Sequence, residues 1–213
     1  MSEFRRRLMM VGGGGALPYD AEVEFLRSSG TQAYIDTGIA YDGTIELEAK
    51  FTINTSGSSG AYAFGLYYSG SNGTYRWSLN KGNSTTVKPH FGTITSKSTT
   101  LSLNTFHDIK ADYRYFTKDG TVIDSTASSF TTDWPVSIYL FCRHAKTTSN
   151  DSANSFLDCS FGRYTIKING QIVQNCKPVR KDGVGYFYDS ITKNLLGNAN
   201  SVGAFTYGND VNI

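Results

Sequence analysis

The stretch "TIELEAKFTI" at residues 44–53 limits the fold more than any other part of the chain. Ile45, Leu47, Ala49, Phe51 and Ile53 alternate there with Glu46, Glu48, Lys50 and Thr52. A period of two puts every apolar side chain on one side of an extended chain and every charged one on the other, whereas a helix would scatter them around its axis. The segment is predicted to be a strand with one wet face. "HDIKADYRYF" at 107–116 repeats the pattern, with Ile109, Ala111, Tyr113 and Tyr115 opposing Asp108, Lys110, Asp112 and Arg114, and predicts a second long, half-buried strand. "PVSIYLFC" (135–142) is apolar on both faces, as a more central strand is, and "YTIKING" (164–170) alternates again before a turn.

Hairpin signals recur at Asn72-Gly73, Lys118-Asp119-Gly120, Asn169-Gly170 and Lys181-Asp182-Gly183. These are residue types that accept the positive φ of tight two-residue turns. With 22 Gly, 13 Phe and 14 Tyr and no helical period, the pattern predicts an all-β chain, an antiparallel β-sandwich. A length of 213 residues suits one sandwich domain with a sizeable core, expected at 16–213, preceded by an N-terminal arm at 1–15.

Two places are less generic. "VEFLRSSGTQAYIDTGI" (23–39) takes a short strand through a Ser-Gly turn into a strand containing Tyr34, Ile35, Asp36, Thr37 and Gly38. "CKPVRKDGVGYFYDSITKNLLGN" (176–198) takes a hairpin into Tyr186, Tyr188 and Asp189 and closes on Leu195-Leu196-Gly197. Together these resemble a family of concanavalin A-like, laminin G-like jelly-roll domains common in phages and prophages of gut bacteria. "VSIYLFCRH" (136–144) and "FGRYTIKINGQIV" (161–173) look like that family's late strands, so the resemblance spans residues 22–207. It implies a jelly-roll architecture far more than an activity. First and last strands of a jelly roll lie close together, and an open edge there exposes unpaired backbone groups. Tight turns at Gly38 and Gly197, with Tyr34, Tyr186 and Tyr188 as amphipathic plugs, are expected to close that seam.

The arm has a chemistry of its own. Arg5, Arg6 and Arg7 sit between Phe4 and Leu8, Met9 and Met10, followed by four glycines at 12–15. The apolar run from Leu8 to Val11 is too short for a signal peptide or a membrane span, so no membrane partner is expected. Three arginines flanked by apolar anchors suit a groove on another protein, with the glycines as a flexible tether. A solvated basic end is the alternative.

Catalytic and metal chemistry find little footing. The formal charge of +2 does not make a nucleic-acid-binding surface. Cys142, Cys159 and Cys176 lack the paired spacing of a zinc site and read as buried thiols, and no cofactor is expected. Glycoside hydrolases of this architecture carry their acids on one strand in an E-x-D-x-x-E spacing. Here Glu46 and Glu48 are followed by Lys50, and the pair reads as polar surface. His90, His107 and His144 are scattered, with no nucleophile motif beside them. "SNDSAN" (149–154) carries acceptors without EF-hand spacing and reads as a polar turn. The chain is therefore expected not to be an enzyme.

Binding is the remaining class. "GSNGTYRWSLNKGN" offers Tyr75, Arg76, Trp77 and Asn80, and Trp134 stands apart in "TTDWP". Tyr75 and Trp77 share one face of a strand, which serves either a sugar-stacking platform or a core. The resemblance and the arm lead to a phage virion structural protein, assembled in the host cytoplasm and displayed as a head fibre or capsid decoration. It would be anchored by residues 1–15 to capsid or tail proteins and self-associated, for instance as a trimer. The alternative is a lectin-like module that binds a host or mucin glycan through Tyr75, Arg76, Trp77 and Trp134.

Overall fold

The computed structural model describes residues 17–211 except 31, 57–58, 71–72, 92–93, 96, 113–114 and 126–133. The arm residues Phe4, Arg5, Arg6, Arg7, Leu8, Met9 and Met10 lie outside the described residues, and so does the glycine tether. Among the described residues the chain is all-β, with twenty strands in two sheets. The first sheet holds β1 (Ala21–Glu22), β2 (Leu26–Ser29), β4 (Glu46–Ile53), β10 (His107–Ala111), β11 (Tyr115–Lys118), β12 (Thr121–Ser125), β16 (Asp158–Ile168), β17 (Gln171–Lys181), β18 (Val184–Asp189), β19 (Leu195–Leu196) and β20 (Thr206–Tyr207). The second holds β3 (Ile35–Tyr41), β5 (Tyr62–Gly70), β6 (Gly73–Lys81), β7 (Thr86–Phe91), β8 (Ile94–Thr95), β9 (Thr99–Thr100), β13 (Trp134–Leu140), β14 (Arg143–Thr147) and β15 (Asp151–Asn154). Pairing is antiparallel except between β14 and β5, which run parallel.

The first sheet runs β12-β11-β10-β4-β16-β17-β18-β19, and the second runs β15-β14-β5-β6-β7-β8. One apolar cluster draws Leu47, Phe51, Phe161 and Ile166 from the first sheet and Phe64, Leu66, Trp77 and Leu140 from the second. The two sheets thus bury a shared core in the manner of a β-sandwich. All five apolar residues of the 44–53 alternation belong to that cluster. Their polar neighbours form an outer network in which Lys167 meets Glu46 at 2.7 Å and Glu48 at 3.0 Å, while Lys110 meets Glu46 at 2.7 Å. Both carboxylates are thereby committed to lysines.

A buried polar chain ties the sheets together. Tyr164 donates to Gln174 Oε1 at 3.0 Å, Gln174 Nε2 donates to the Thr37 carbonyl at 3.0 Å, and Thr37 Oγ1 donates to the Ile138 carbonyl at 2.8 Å. All three side chains are buried, so each bond satisfies a group that water cannot reach.

Two local expectations are corrected. The 107–116 stretch is not one long strand: β10 ends at Ala111, and the chain reverses into β11. Asp112 closes the reversal, its amide donating to the Tyr115 carbonyl and its carboxylate accepting from the Tyr115 amide at 2.5 Å. Tyr115 is accordingly 43% exposed. Gly38 makes no turn but lies inside β3 at φ 69°, where the register with β13 slips, which is the geometry of a bulge. The turn chemistry appears as read at Asp119-Gly120, Asn169-Gly170 and Asp182-Gly183, which all have positive φ and join successive antiparallel strands, while Asn72 of Asn72-Gly73 lies outside the described residues.

Candidate functional site

The two end motifs meet in space. Asn198 Oδ1 accepts from the Tyr34 amide at 3.1 Å, and the Ala199 amide donates to the Tyr34 carbonyl at 2.9 Å. Asp189, with no exposed surface, organises the 190–194 loop inside the second motif. Its carboxylate accepts from the amides of Asn175 (3.0 Å), Ile191 (3.0 Å) and Thr192 (3.3 Å) and from Thr192 Oγ1 (2.7 Å). Burial pushes its pKa up, but these donors outweigh burial and hold the carboxyl below its usual range. Tyr188 is buried against Tyr19 and Val179, and a side chain on Gly197 would run into the Tyr186 ring at 2.9 Å. β20 pairs with β2, and β1 with β17, so the first and last strands share edges. The motifs therefore act in architecture.

The outer face of the first sheet carries two adjoining depressions of about 330 and 650 Å³, with Lys50 and Arg163 lining both. Phe25 and Phe106, their rings 5.7 Å apart, form an apolar end. Lys50 and Arg163 stand beside Asp108, Glu24 and Glu22, so the groove carries both signs of charge. Glu46 and Glu48, held by their lysines, are not placed as a free acid–base pair.

Of the sequence-derived binding residues, Trp77 faces inward. It is fully buried against Tyr41 and Phe64, at centroid distances of 6.0 and 5.4 Å, and offers no face to a sugar ring. Large aromatics on the inward side of a strand fill the core, and this one does. Tyr75 pairs with Tyr68 and Trp134 with Tyr41 along the backbone, while the side chains of Tyr75 and Trp134 lie outside the described residues. Arg76, one position before Trp77, points the opposite way, to the outer face of the second sheet.

What Arg76 joins there was not legible as a motif. Gly65 on β5, Ser78 on β6 and His90 on β7 are register partners in one row, flanked by Tyr67 opposite Arg76 and by Asn80 opposite Lys88. Partners in register share a face. A Cβ on Gly65 would come within 2.3 Å of Ser78 Cβ, so only glycine at φ 132° lets Ser78 pack here. Arg143, from β14, lies 4.6 Å from the Tyr62 ring centroid and 4.9 Å from that of Tyr67, and donates to Tyr62 Oη at 3.1 Å. Arg76 lies 5.3 Å from the same Tyr67 ring. Two guanidiniums thus share one tyrosine ring, an attraction that partly offsets their mutual repulsion. Burial, and then the charges of Arg76, Lys88 and Arg143, lower the His90 pKa to about 4. The alternation of "TYRWSLN" was the available signal, since it separates Arg76 and Ser78 from Trp77.

The other histidines are structural. His107 Nδ1 meets Asp119 Oδ2 at 2.7 Å, and its Nε2 lies 3.3 Å from the Ser102 amide. His144 stacks on Tyr139 at 3.9 Å and bridges the Ser137 carbonyl and Asp151, both within 2.8 Å. Asp151, the acid of "SNDSAN", is committed to Lys146 and His144. Among the described residues no group of three or more His, Cys, Asp or Glu is arranged to hold a metal ion. Cys142, Cys159 and Cys176 are buried free thiols, and burial drives the Cys176 pKa up to about 12. No protein-family model matches this chain, and no curated protein matches it.

Proposed function

We propose that this chain is a phage virion structural protein: a concanavalin A-like jelly-roll sandwich displayed as a head fibre or capsid decoration and anchored by residues 1–15. The observation that carries the reading is the joint between the two end motifs, where Asn198 holds Tyr34 after a loop that Asp189 fastens within the second motif. Those are the motifs on which the phage-domain resemblance rests, and their joint action in closing one seam supports reading them as a single architectural signature. The anchoring role follows from the arm's sequence, three arginines between apolar side chains and a glycine tether.

Self-association has support at one margin of the first sheet. β12 ends the strand order, and the β11–β12 hairpin leaves Val122 56% and Tyr115 43% exposed. Apolar side chains on an edge hairpin suit a contact repeated around a cyclic oligomer such as a trimer. The test is deletion of residues 1–11. The truncated chain should keep its β circular-dichroism spectrum and fail to enter particles. Normal incorporation would refute the anchor.

The second reading, a glycan-binding module, is favoured by the Arg76–Tyr67–Arg143 cluster rather than by the tryptophans. Replacing buried Trp77 would report on folding, so the informative variant is Arg76→Gln on a glycan array.

A further inference from the structure

Arg76, Lys88 and Arg143 differ from most of the cations around them. Among the described residues, Arg27, Lys110, Lys146, Lys167, Lys177 and Arg180 each meet a carboxylate. Arg76, Lys88 and Arg143 meet none, although all three act on the same imidazole. The groove on the first sheet also holds unpaired cations, Lys50 and Arg163, but acids line it with them. The second-sheet face gathers three cations that, among the described residues, meet no carboxylate, and the nearest acid in their row, Asp36, stands on β3, beyond β13.

An independent observation points to a ligand at the same place. Ser78 is 1% exposed and His90 is 9% exposed, yet among the described residues Ser78 Oγ and His90 Nδ1 have no hydrogen-bond partner. They stand opposite each other on adjacent strands, in the row between Arg76 and Lys88. A buried polar atom left unmatched costs about 1–3 kcal/mol, so two in one row mark hydrogen-bonding capacity that the protein does not use itself.

We propose that the outer face of β5, β6, β7 and β14 binds the carboxylate or sulfate group of an acidic saccharide. Arg76, Arg143 and Lys88 supply the charge, and Ser78 Oγ and His90 Nδ1 supply the unused hydrogen-bonding positions. The surroundings select the carrier of the anion. Asn80, Ser152 and Asn154 border the patch and suit hydroxyl groups. Among the described residues none of the large exposed hydrophobic side chains lies on these four strands, so what is described of the face lacks the apolar centre of a protein interface. Nucleic acid requires cations repeated along a stripe, whereas these three are gathered at one point. The inference rests on the glycan-binding reading and names the class of glycan.

The test uses the full chain and three probes: sodium sulfate, a uronic-acid oligosaccharide, and a neutral oligosaccharide of equal length. Binding is followed by the His90 imidazole resonances and by calorimetry. The acidic oligosaccharide should bind, raise the pH at which His90 titrates, and compete with sulfate. Arg76→Gln should weaken it at least tenfold. Among the described residues Arg76 makes no hydrogen bond or ion pair, and an unchanged melting temperature confirms that only the site was altered. Lys50→Gln, on the opposite sheet, should leave binding as it is. Binding of the acidic oligosaccharide that is indifferent to Arg76→Gln overturns the site and leaves the glycan-binding reading standing. So does preference for the neutral oligosaccharide, and sulfate binding without the acidic oligosaccharide overturns the saccharide assignment. Failure to bind any glycan on a broad array refutes the glycan-binding reading itself.

Discussion

Replacing Gln174 with methionine keeps the side-chain length while removing both polar ends. It leaves the Tyr164 hydroxyl and the Thr37 carbonyl, both buried, without the partners they now hold at 3.0 Å. Each orphaned group costs about 1–3 kcal/mol, so the substitution should destabilise the chain by roughly 2–6 kcal/mol. That is a large share of the roughly 5–15 kcal/mol typical of a folded domain. Tyr164→Phe removes one donor and strands only Gln174 Oε1, which predicts a smaller loss of about 1–2 kcal/mol. The double variant should then cost less than the sum, by about 1 kcal/mol, because hydroxyl and amide no longer leave each other unpaired. Urea unfolding, monitored by tyrosine and tryptophan fluorescence, measures all three. A loss under about 0.5 kcal/mol for Gln174→Met, or strict additivity in the double variant, would refute the claim that this chain of bonds couples the sheets.

Three further outcomes follow from the same geometry. Gly65→Ala places a methyl 2.3 Å from Ser78 Cβ at φ 132°, and should lower stability by more than about 3 kcal/mol in the same assay, with Gly120→Ala, which meets nothing within 4 Å, far milder. Asp189→Asn replaces a carboxylate that accepts four hydrogen bonds, and should cost about 2 kcal/mol at pH 7. Because the folded pKa of Asp189 is depressed, its contribution is present above the unfolded value of about 3.9 and disappears as pH falls through the folded one, so the gap between variant and parent should close in strong acid. His90 also has a depressed folded pKa, about 4 against an unfolded value of about 6.5. Between those limits the unfolded chain binds the extra proton, so stability should fall by about 3 kcal/mol as pH drops from 6.5 to 4, and His90→Asn should flatten that slope in pH-dependent melts.

Alternation and turn chemistry were enough to determine the class of fold. Ile45, Leu47, Ala49, Phe51 and Ile53 needed only a period of two to find the core, and three Asx-Gly pairs needed only their tolerance of positive φ to make hairpins. These are local properties, settled by each residue's own backbone and its neighbours in sequence. Asp112 shows where local reading stops: the alternation ran on through it, but its carboxylate captured the Tyr115 amide and reversed the chain. Such a bond competes with the ladder at similar energy, and period alone does not register it.

Which strands become neighbours was decided only by tertiary structure. β2 and β3 are close in sequence but lie in different sheets, while β2 pairs with β20 and β1 with β17. The candidate site depends on such long-range choices, since Arg76, His90, Tyr67 and Arg143 come from four strands and meet only through their register. Sequence determined that Arg76 and Trp77 point to opposite faces, because alternation is a property of one strand. It did not determine that Trp77's face would be the core, nor that Arg76's face would gather two more cations around an unpaired serine and histidine. Those outcomes belong to the pairing of sheets, where burial of the whole apolar surface selects one arrangement and brings distant polar residues together as its consequence.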